Sequence, residues 1–294
     1  MFKMKKIKYF FEAIFIYFLF FIIKIVGLNL GRKISSFLFL LIGDAIKSKK
    51  ITEKNISIAF GDLSKIRKAS IIKSMWSNYG KTFAEYLFLD KFRYDKFQEK
   101  QINILGIEKI NKIVSSNRPV IFISGHFANF ELMAMELTKK NIKLAAIYRR
   151  LNNFFLNPFM THLRRKYICE NQIEKGLKGT SDAIKFLKKN YSIALMVDQR
   201  LGQSERYPFF NVPAHTTTLP AQLAIKFSCD IVPIYLERKE NDFFNMEILD
   251  PIKINKSNNP ENEKKDITLK INQIIENFII RNPGQWIWTH NRWK

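Results

Sequence analysis

A histidine and a carboxylate stand five positions apart in Ser124-Gly125-His126-Phe127-Ala128-Asn129-Phe130-Glu131. Their joint chemistry would be that of a general base and the acid that orients it. On an ideal helix, residues five apart are about 140° out of line, so the two side chains do not share a helical face. The spacing is therefore read with His126 in a turn and Glu131 in the first turn of the helix that follows. A helix amino terminus disfavours imidazolium, and a carboxylate on the second ring nitrogen fixes the tautomer; together they give a base suited to a hydroxyl proton. The plainer alternative is a turn histidine beside a first-turn acid that complements the helix dipole. H-x4-E arises often by chance, and spacing alone leaves both readings open.

The elements on either side are legible. Arg118-Pro119-Val120-Ile121-Phe122-Ile123-Ser124 is a short apolar, β-branched run that reads as a buried strand, and Glu131 to Lys139 has helical periodicity. The motif thus lies at the carboxyl end of a strand, where α/β sheets place their chemistry. Further strands are expected at Leu144–Tyr148, Ile193–Asp198, Ile231–Leu236 and Phe243–Leu249. Helices are expected near Leu156–Arg165, Ser181–Lys189, Pro220–Phe227 and Ile267–Ile280, with Asn255–Lys265 as a polar loop. This alternation predicts an α/β fold, a central mixed sheet flanked by helices. Before it, Ser64 to Leu89 repeats apolar residues at three- and four-residue steps, which reads as a helical lobe. There is no internal repeat and no linker long enough to define a second independent domain.

The 49 Lys and Arg against 26 Asp and Glu give a net charge of +23, which draws polyanions: anionic lipid, phosphorylated substrates, acidic carrier proteins or nucleic acid. A hydrophobic content of 47% supplies an ample core and excludes whole-chain disorder. The two cysteines, Cys169 and Cys229, lack ligand spacing, so neither a zinc site nor a disulfide framework is readable. They read as reduced thiols in or near the core of a cytosol-facing protein.

The amino terminus is basic (Lys3, Lys5, Lys6, Lys8), and the segment Tyr9–Leu30 has an uninterrupted apolar stretch from Ala13 to Ile23. That stretch is shorter than the roughly 20 residues a spanning helix wants, so residues 1–32 read as an uncleaved membrane anchor that either spans or lies in the interface. Lys24 is expected to snorkel, and Tyr9 and Tyr17 suit an interface. Arg32 and Lys33 make the second flank basic too, so charge bias sets no direction. A signal peptide is the weaker alternative, because no small-x-small site follows. The patch Phe37–Ile42 would dock on the bilayer or on the core.

Several strands end in polar groups. Tyr148-Arg149-Arg150 and Asp198-Gln199-Arg200-Leu201-Gly202 place guanidiniums where they could clamp phosphate, since their donors match phosphate oxygens bidentately. Singly, each is as well read as a solvated surface arginine. Pro208-Phe209-Phe210-Asn211-Val212-Pro213-Ala214-His215-Thr216 reads as an aromatic, proline-bounded loop able to wall an apolar slot, with His215 structural.

Taken in order, these blocks resemble the late acyltransferases of lipid A biosynthesis. Gly125-His126-Phe127-Ala128-Asn129-Phe130-Glu131 is similar to the family's G-H-x-x-N-x-E form of the HX4(D/E) motif. Tyr148-Arg149, Asp198-Gln199, Pro208-Phe209-Phe210 with Ala214 and Thr216, and Ile231-Val232-Pro233 resemble its later blocks. Pro283-Gly284-Gln285-Trp286-Ile287-Trp288-Thr289-His290-Asn291-Arg292-Trp293 resembles its closing signature. The resemblance covers nearly the whole chain. Asn211 departs from a usual glycine, Arg150 from a common proline, and the position of Arg200 varies in the family.

The resemblance implies a fold like the glycerophospholipid acyltransferases, with residues 33–294 forming one acyltransferase domain, a helical lobe (33–100) followed by an α/β catalytic part (101–294). It implies transfer of a fatty acyl chain from acyl carrier protein to a hydroxyl of an acyl chain on a Kdo-bearing, phosphorylated lipid A precursor. His126 would be the base and Glu131 its orienting acid, while Asn129, Arg149, Asp198 and Arg200 would bind substrate. His290 and Arg292 are read as structural. No metal, nucleotide or other cofactor is implied. The implied partners are acyl carrier protein, the lipid A precursor and an anionic membrane, without nucleic acid. The implied location is the bacterial inner membrane, with the site facing the cytoplasm. The alternatives are an acyltransferase acting on glycerol phosphates or glycolipids and, from another class, a non-enzymatic membrane-tethered polyanion binder. No nucleic-acid motif supports the latter.

Overall fold

The computed structural model of the chain describes residues 2–200, 204–254 and 259–294. Seven strands form one sheet: β1 (Ile102–Leu105), β2 (Ile121–Ser124), β3 (Leu144–Tyr148), β4 (Asn171–Glu174), β5 (Ser192–Met196), β8 (Ile231–Arg238) and β9 (Phe244–Ile248). Between β5 and β8, β6 (Arg206–Phe209) and β7 (Val212–His215) make a separate hairpin. The sheet order is β1-β9-β8-β2-β5-β3-β4, parallel throughout except where β8 meets β9. It is the mixed sheet the sequence predicts. β2 is buried at all four positions, as expected of a central strand covered on both faces.

Among the described residues, ten α-helices surround the sheet: α1 (Phe2–Ile46), α2 (Lys49–Phe60), α3 (Lys65–Glu85), α4 (Leu89–Arg93), α5 (Ile107–Ser116), α6 (Glu131–Lys139), α7 (Asn157–Leu163), α8 (Leu177–Lys188), α9 (Leu219–Phe227) and α10 (Pro260–Arg281). α6 begins where the motif predicts. α10 begins earlier than expected, because Asn259 accepts the amide of Asn262 as an N-cap and Pro260 follows at the first position. Residues 260–265 are therefore helix rather than loop; residues 255–258 of the expected loop, and Leu201 and Gly202, lie outside the described residues.

β1 and β4 have no counterpart in the sequence reading. They are the two edges of the sheet, where one side lacks a neighbour, so they are short and only partly buried. The expected aromatic loop is also a hairpin. Its two turn residues, Phe210 (φ 51°) and Asn211 (φ 60°), are both left-handed, as the turn that matches strand twist requires. Its Phe209 is buried against Trp293, so it fills the core instead of walling a slot.

α1 is two helices joined at Gly27, whose backbone (φ 82°, ψ 174°) suits glycine alone. By length and composition α1 is able to cross a membrane. Before Gly27, Met4, Ile7, Phe11, Ile14, Phe18, Phe21 and Ile25 recur at alternating three- and four-residue steps and are all exposed, so they form one apolar stripe facing away from the body. The opposite face is packed: Phe20 lies against Phe83 and Phe159. Lys24 is exposed, and its ammonium donates to the Leu87 carbonyl at 2.9 Å over the Phe88 ring. The Phe37–Ile42 patch splits: Phe39 packs on Tyr79 and Phe83, whereas Phe37 and Leu41 are exposed.

Arg32, one of the residues that make the second flank basic, is buried. Its Nε donates to Glu85 Oε1 at 2.7 Å, and Arg238 from the end of β8 holds the same carboxylate with two nitrogens. Glu85, fully buried, also accepts Asn129 Nδ2 at 2.9 Å. α1, α3, β8 and the histidine-bearing turn thus meet on one carboxylate. α1 and α3 approach closely because Gly80 has no side chain: a Cβ there would lie 2.3 Å from the Ser35 carbonyl oxygen. Gly80→Ala is expected to push the helices apart and cost about 1–3 kcal/mol, as overpacking does. Thermal denaturation of the detergent-solubilised protein, read by circular dichroism, checks this as a lowered midpoint.

Candidate active site

The chain leaves β2 at Ser124 and makes a tight excursion before α6. Gly125 is required at its start, since a Cβ there would fall 2.6 Å from the Phe127 ring and 3.2 Å from Asp198 Oδ2. Ala128 then takes a left-handed conformation (φ 47°) whose carbonyl accepts from Asn78 Nδ2 at 3.2 Å and Thr82 Oγ1 at 3.1 Å, both on α3. The Ala128 amide donates to the Gln285 carbonyl. This turn fixes His126, with Phe130 standing edge-on to its ring at 4.6 Å.

The carboxylate that meets His126 is Asp198, two residues beyond the end of β5 at Met196, and not Glu131. His126 Nδ1 lies 2.7 Å from Asp198 Oδ1, and the His126 amide donates to Oδ2 at 2.7 Å. Trp286 Nε1 donates to Oδ2 at 2.8 Å. Asp198 is only 1% exposed. Burial pushes its carboxyl upward, but the neighbouring His126 ring and the hydrogen bonds from His126 and Trp286 outweigh this and hold it well below the usual carboxylate range. An ionised carboxylate only accepts, so the imidazole carries its proton on Nδ1 and presents Nε2 as a base. Among the described residues, Nε2 has no protein partner.

Glu131 is turned to other work. Its Oε1 accepts from Arg164 Nε at 2.8 Å and Nη2 at 2.7 Å, and from the Tyr86 hydroxyl. Despite the burial that opposes it, the neighbouring Glu131 keeps the Arg164 guanidinium charged, and burial followed by Glu131 keeps Tyr86 protonated. Arg164 stacks between the rings of Tyr86 and Tyr148.

The other expected site residues divide. Asn129 is withdrawn from solvent at 1% exposed and donates to Glu85, and Asp198 is equally enclosed. Arg149 lines the cleft that holds His126 and Glu131. Arg150 is exposed and paired with Glu174 at 3.0 Å. The backbone amide of Arg200 donates to His290 Nε2 at 2.7 Å, which makes that nitrogen an acceptor. His290 is pushed down to about 4, first by burial, and is neutral. Arg292 is fully enclosed: Nη2 donates to Asn272 Oδ1 at 2.7 Å and to Thr216 Oγ1, Nη1 to the Asp198 carbonyl, with Phe209 3.7 Å below the guanidinium. His290 and Arg292 are built into the framework around Asp198.

Two cavities adjoin this centre. A cleft of about 800 Å³ runs across the carboxyl ends of β2, β3 and β5 and is lined by His126, Glu131, Arg149, Arg164 and Lys175 among others. A second, of about 350 Å³, is almost wholly apolar and lies between α1, α3 and α7, with Ile16, Phe20, Phe39, Phe83 and Met160 in its wall. Phe130 and Arg164 line both. Sequence reading had no local signal for Arg164, Lys175 or Tyr86, which lie within ordinary basic or apolar stretches.

Comparison with known proteins agrees with this architecture. The family model for bacterial lipid A biosynthesis acyltransferases matches residues 2–294. The chain is 24% identical over 249 residues to the lipid A biosynthesis lauroyltransferase of Escherichia coli K12, covering 83% of this chain and 78% of that one. It is 24% identical over 253 residues to the palmitoleoyltransferase of the same organism (84% and 79%), and 22% identical over 239 residues to its myristoyltransferase (80% and 71%).

The depressed basicity of His290 has a consequence for stability. Its folded value, about 4, lies below the roughly 6.5 of an unfolded histidine. The unfolded chain therefore binds the extra proton first, and the stabilisation present above pH ~6.5 is lost as pH falls toward ~4. His290→Asn, which keeps an acceptor for Arg200, is expected to flatten the stability profile between those values. Urea denaturation midpoints across that pH range test it.

Proposed function

Because the chain belongs to the bacterial lipid A biosynthesis acyltransferases, we propose that it moves a fatty acyl chain from acyl carrier protein to a hydroxyl of an acyl chain on a Kdo-bearing lipid A precursor. The observation that carries the mechanism is the His126–Asp198 pair beside two cavities that share Phe130 and Arg164 in their walls, one of them almost wholly apolar. His126 Nε2 takes the proton of the acceptor hydroxyl. The oxygen then forms a bond to the thioester carbonyl carbon, and the tetrahedral intermediate collapses with breakage of the C–S bond. The departing sulfur recovers the proton from the imidazolium, leaving an ester, a free thiol and unchanged protein. Asp198 holds the ring and stabilises its charged form.

Arg164 stands at the junction of the two cavities. Its place supports a role for its charge near the carbonyl oxygen, where negative charge develops. In this reading Glu131 acts by holding Arg164, so it is a positioning residue. The acyl chain takes the apolar cavity, each buried methylene contributing about 0.8 kcal/mol. No cofactor enters the scheme, and the protein's positive charge favours an acidic carrier. Residues 1–32 act as the anchor, with the apolar stripe of α1 in the lipid of the inner membrane and residues 33–294 as the acyl-transferring body on its cytoplasmic side.

Mass spectrometry tests this with detergent-solubilised protein, acyl carrier protein charged with a range of fatty acids, and the Kdo-bearing tetraacyl disaccharide. One added acyl mass with wild type and none with His126→Ala is expected. Absence of any product with folded wild type would redirect the assignment to glycerol phosphate or glycolipid acceptors. Asp198→Asn leaves the ring position intact but offers Nδ1 no anionic acceptor. It is expected to lower kcat by about 10³–10⁴, as loss of the orienting carboxylate does in other histidine-based sites.

A further inference from the structure

Arg149 and Lys175 emerge side by side from the sheet. β3 and β4 are parallel with Tyr148 opposite Glu174, so the next residue on each strand leaves the carboxyl edge at the same level. The Lys175 amide donates to the Tyr148 carbonyl at 2.8 Å. Both side chains line the cleft that holds His126. Every carboxylate near them is already engaged: Glu174 by Arg150, Glu131 by Arg164, Asp198 by His126, and Glu205 by Lys264. Among the described residues, no carboxylate oxygen lies within 4.0 Å of a side-chain nitrogen of Arg149 or Lys175.

The two cations feel each other. Burial, and then the Arg149 guanidinium, hold the Lys175 ammonium below its ordinary value, while Asp198 pulls the other way. His290 is likewise lowered by both. Two like charges drawn partly out of water without a counterion oppose folding, and a bound anion relieves both the repulsion and the desolvation. A guanidinium with an adjacent ammonium supplies a planar fork and a point charge, which together suit a tetrahedral oxyanion.

We propose that Arg149 and Lys175 form a phosphate-binding pair in the cleft beside His126. The proposal rests on the acyl-transfer reading of the site, and it adds Lys175 as a residue that selects phosphorylated substrate. Two substrates of that reaction carry such a group: the acceptor disaccharide, as a phosphate monoester, and the donor, as the phosphodiester of its pantetheine arm. Held on this pair, either would be drawn in next to the base that begins transfer.

The first measurement is independent of turnover. Inorganic pyrophosphate is titrated into full-length protein in detergent by isothermal calorimetry. Lys175→Gln and Arg149→Gln are each expected to weaken binding by about tenfold or more, the usual strength of a hydrogen bond to a charged group. Lys188→Gln, an exposed lysine at the far end of α8, is expected to leave binding within twofold. Equal affinity in wild type and both cleft variants would overturn the proposal, whatever the enzyme acylates.

Kinetics then identify the source. Lys175→Gln is expected to raise KM about tenfold with kcat within threefold, for one substrate only. If the acceptor supplies the phosphate, an acceptor lacking it shows no difference between wild type and variant. If the donor does, acyl-phosphopantetheine shows the difference and acyl-pantetheine does not. An equal loss across phosphorylated and dephosphorylated forms of both substrates would overturn the pair's role in recognition. Failure of wild type to acylate the disaccharide at all, with pyrophosphate binding intact, would count against the acceptor assignment and leave the anion site standing.

Discussion

A carboxylate removed from water survives as an anion only when its lone pairs are met, and Asp198 is the place where this chain meets that requirement. Its two oxygens take the His126 ring, the His126 amide and the Trp286 indole, and its own carbonyl takes Arg292. Those donors come from the turn after β2 and from the last residues described, so one charge dictates how three distant segments meet. Loss of any donor would leave a buried anion undersatisfied, a costlier state than an apolar replacement. The geometry of the base therefore follows from a solvation constraint.

A second buried carboxylate, Glu85, does for the scaffold what Asp198 does for the ring. It collects Arg32, Arg238 and Asn129, and thereby ties the amino-terminal helices to the sheet and to the turn that carries His126. The two networks touch through that turn: Asn129 belongs to one and His126 to the other. Between them the backbone of Ala128 is held left-handed by α3. The turn's shape is thus fixed by groups on every side of it, which is how a strained backbone persists at a site of chemistry.

The central strands and their helices were legible because burial on both faces writes an apolar run into the sequence, as in Ile121–Ser124 and Ile231–Arg238. The edge strands β1 and β4 were not, since they are four residues long and only partly buried. The motif turn and the start of α6 were legible from residue type. The partner of His126 was not: Glu131 is five residues away and Asp198 seventy-two, and a periodicity argument sees only the nearer carboxylate. Nor does sequence separation reveal that Asn129 and Arg32 meet on Glu85. What a buried polar group pairs with depends on which strands become neighbours.

The position of Trp286 has a further consequence, one of order in time. It reaches Asp198 from eighty-eight residues downstream, whereas the apolar stripe of α1 is complete by Ile25. During synthesis the amino-terminal helix leaves the ribosome long before the indole that closes the buried carboxylate. A nascent chain presents this exposed apolar stripe while Asp198 still lacks the Trp286 indole. The apolar face of α1 is thus complete before the chain's later residues can close the pairing of His126 with Asp198.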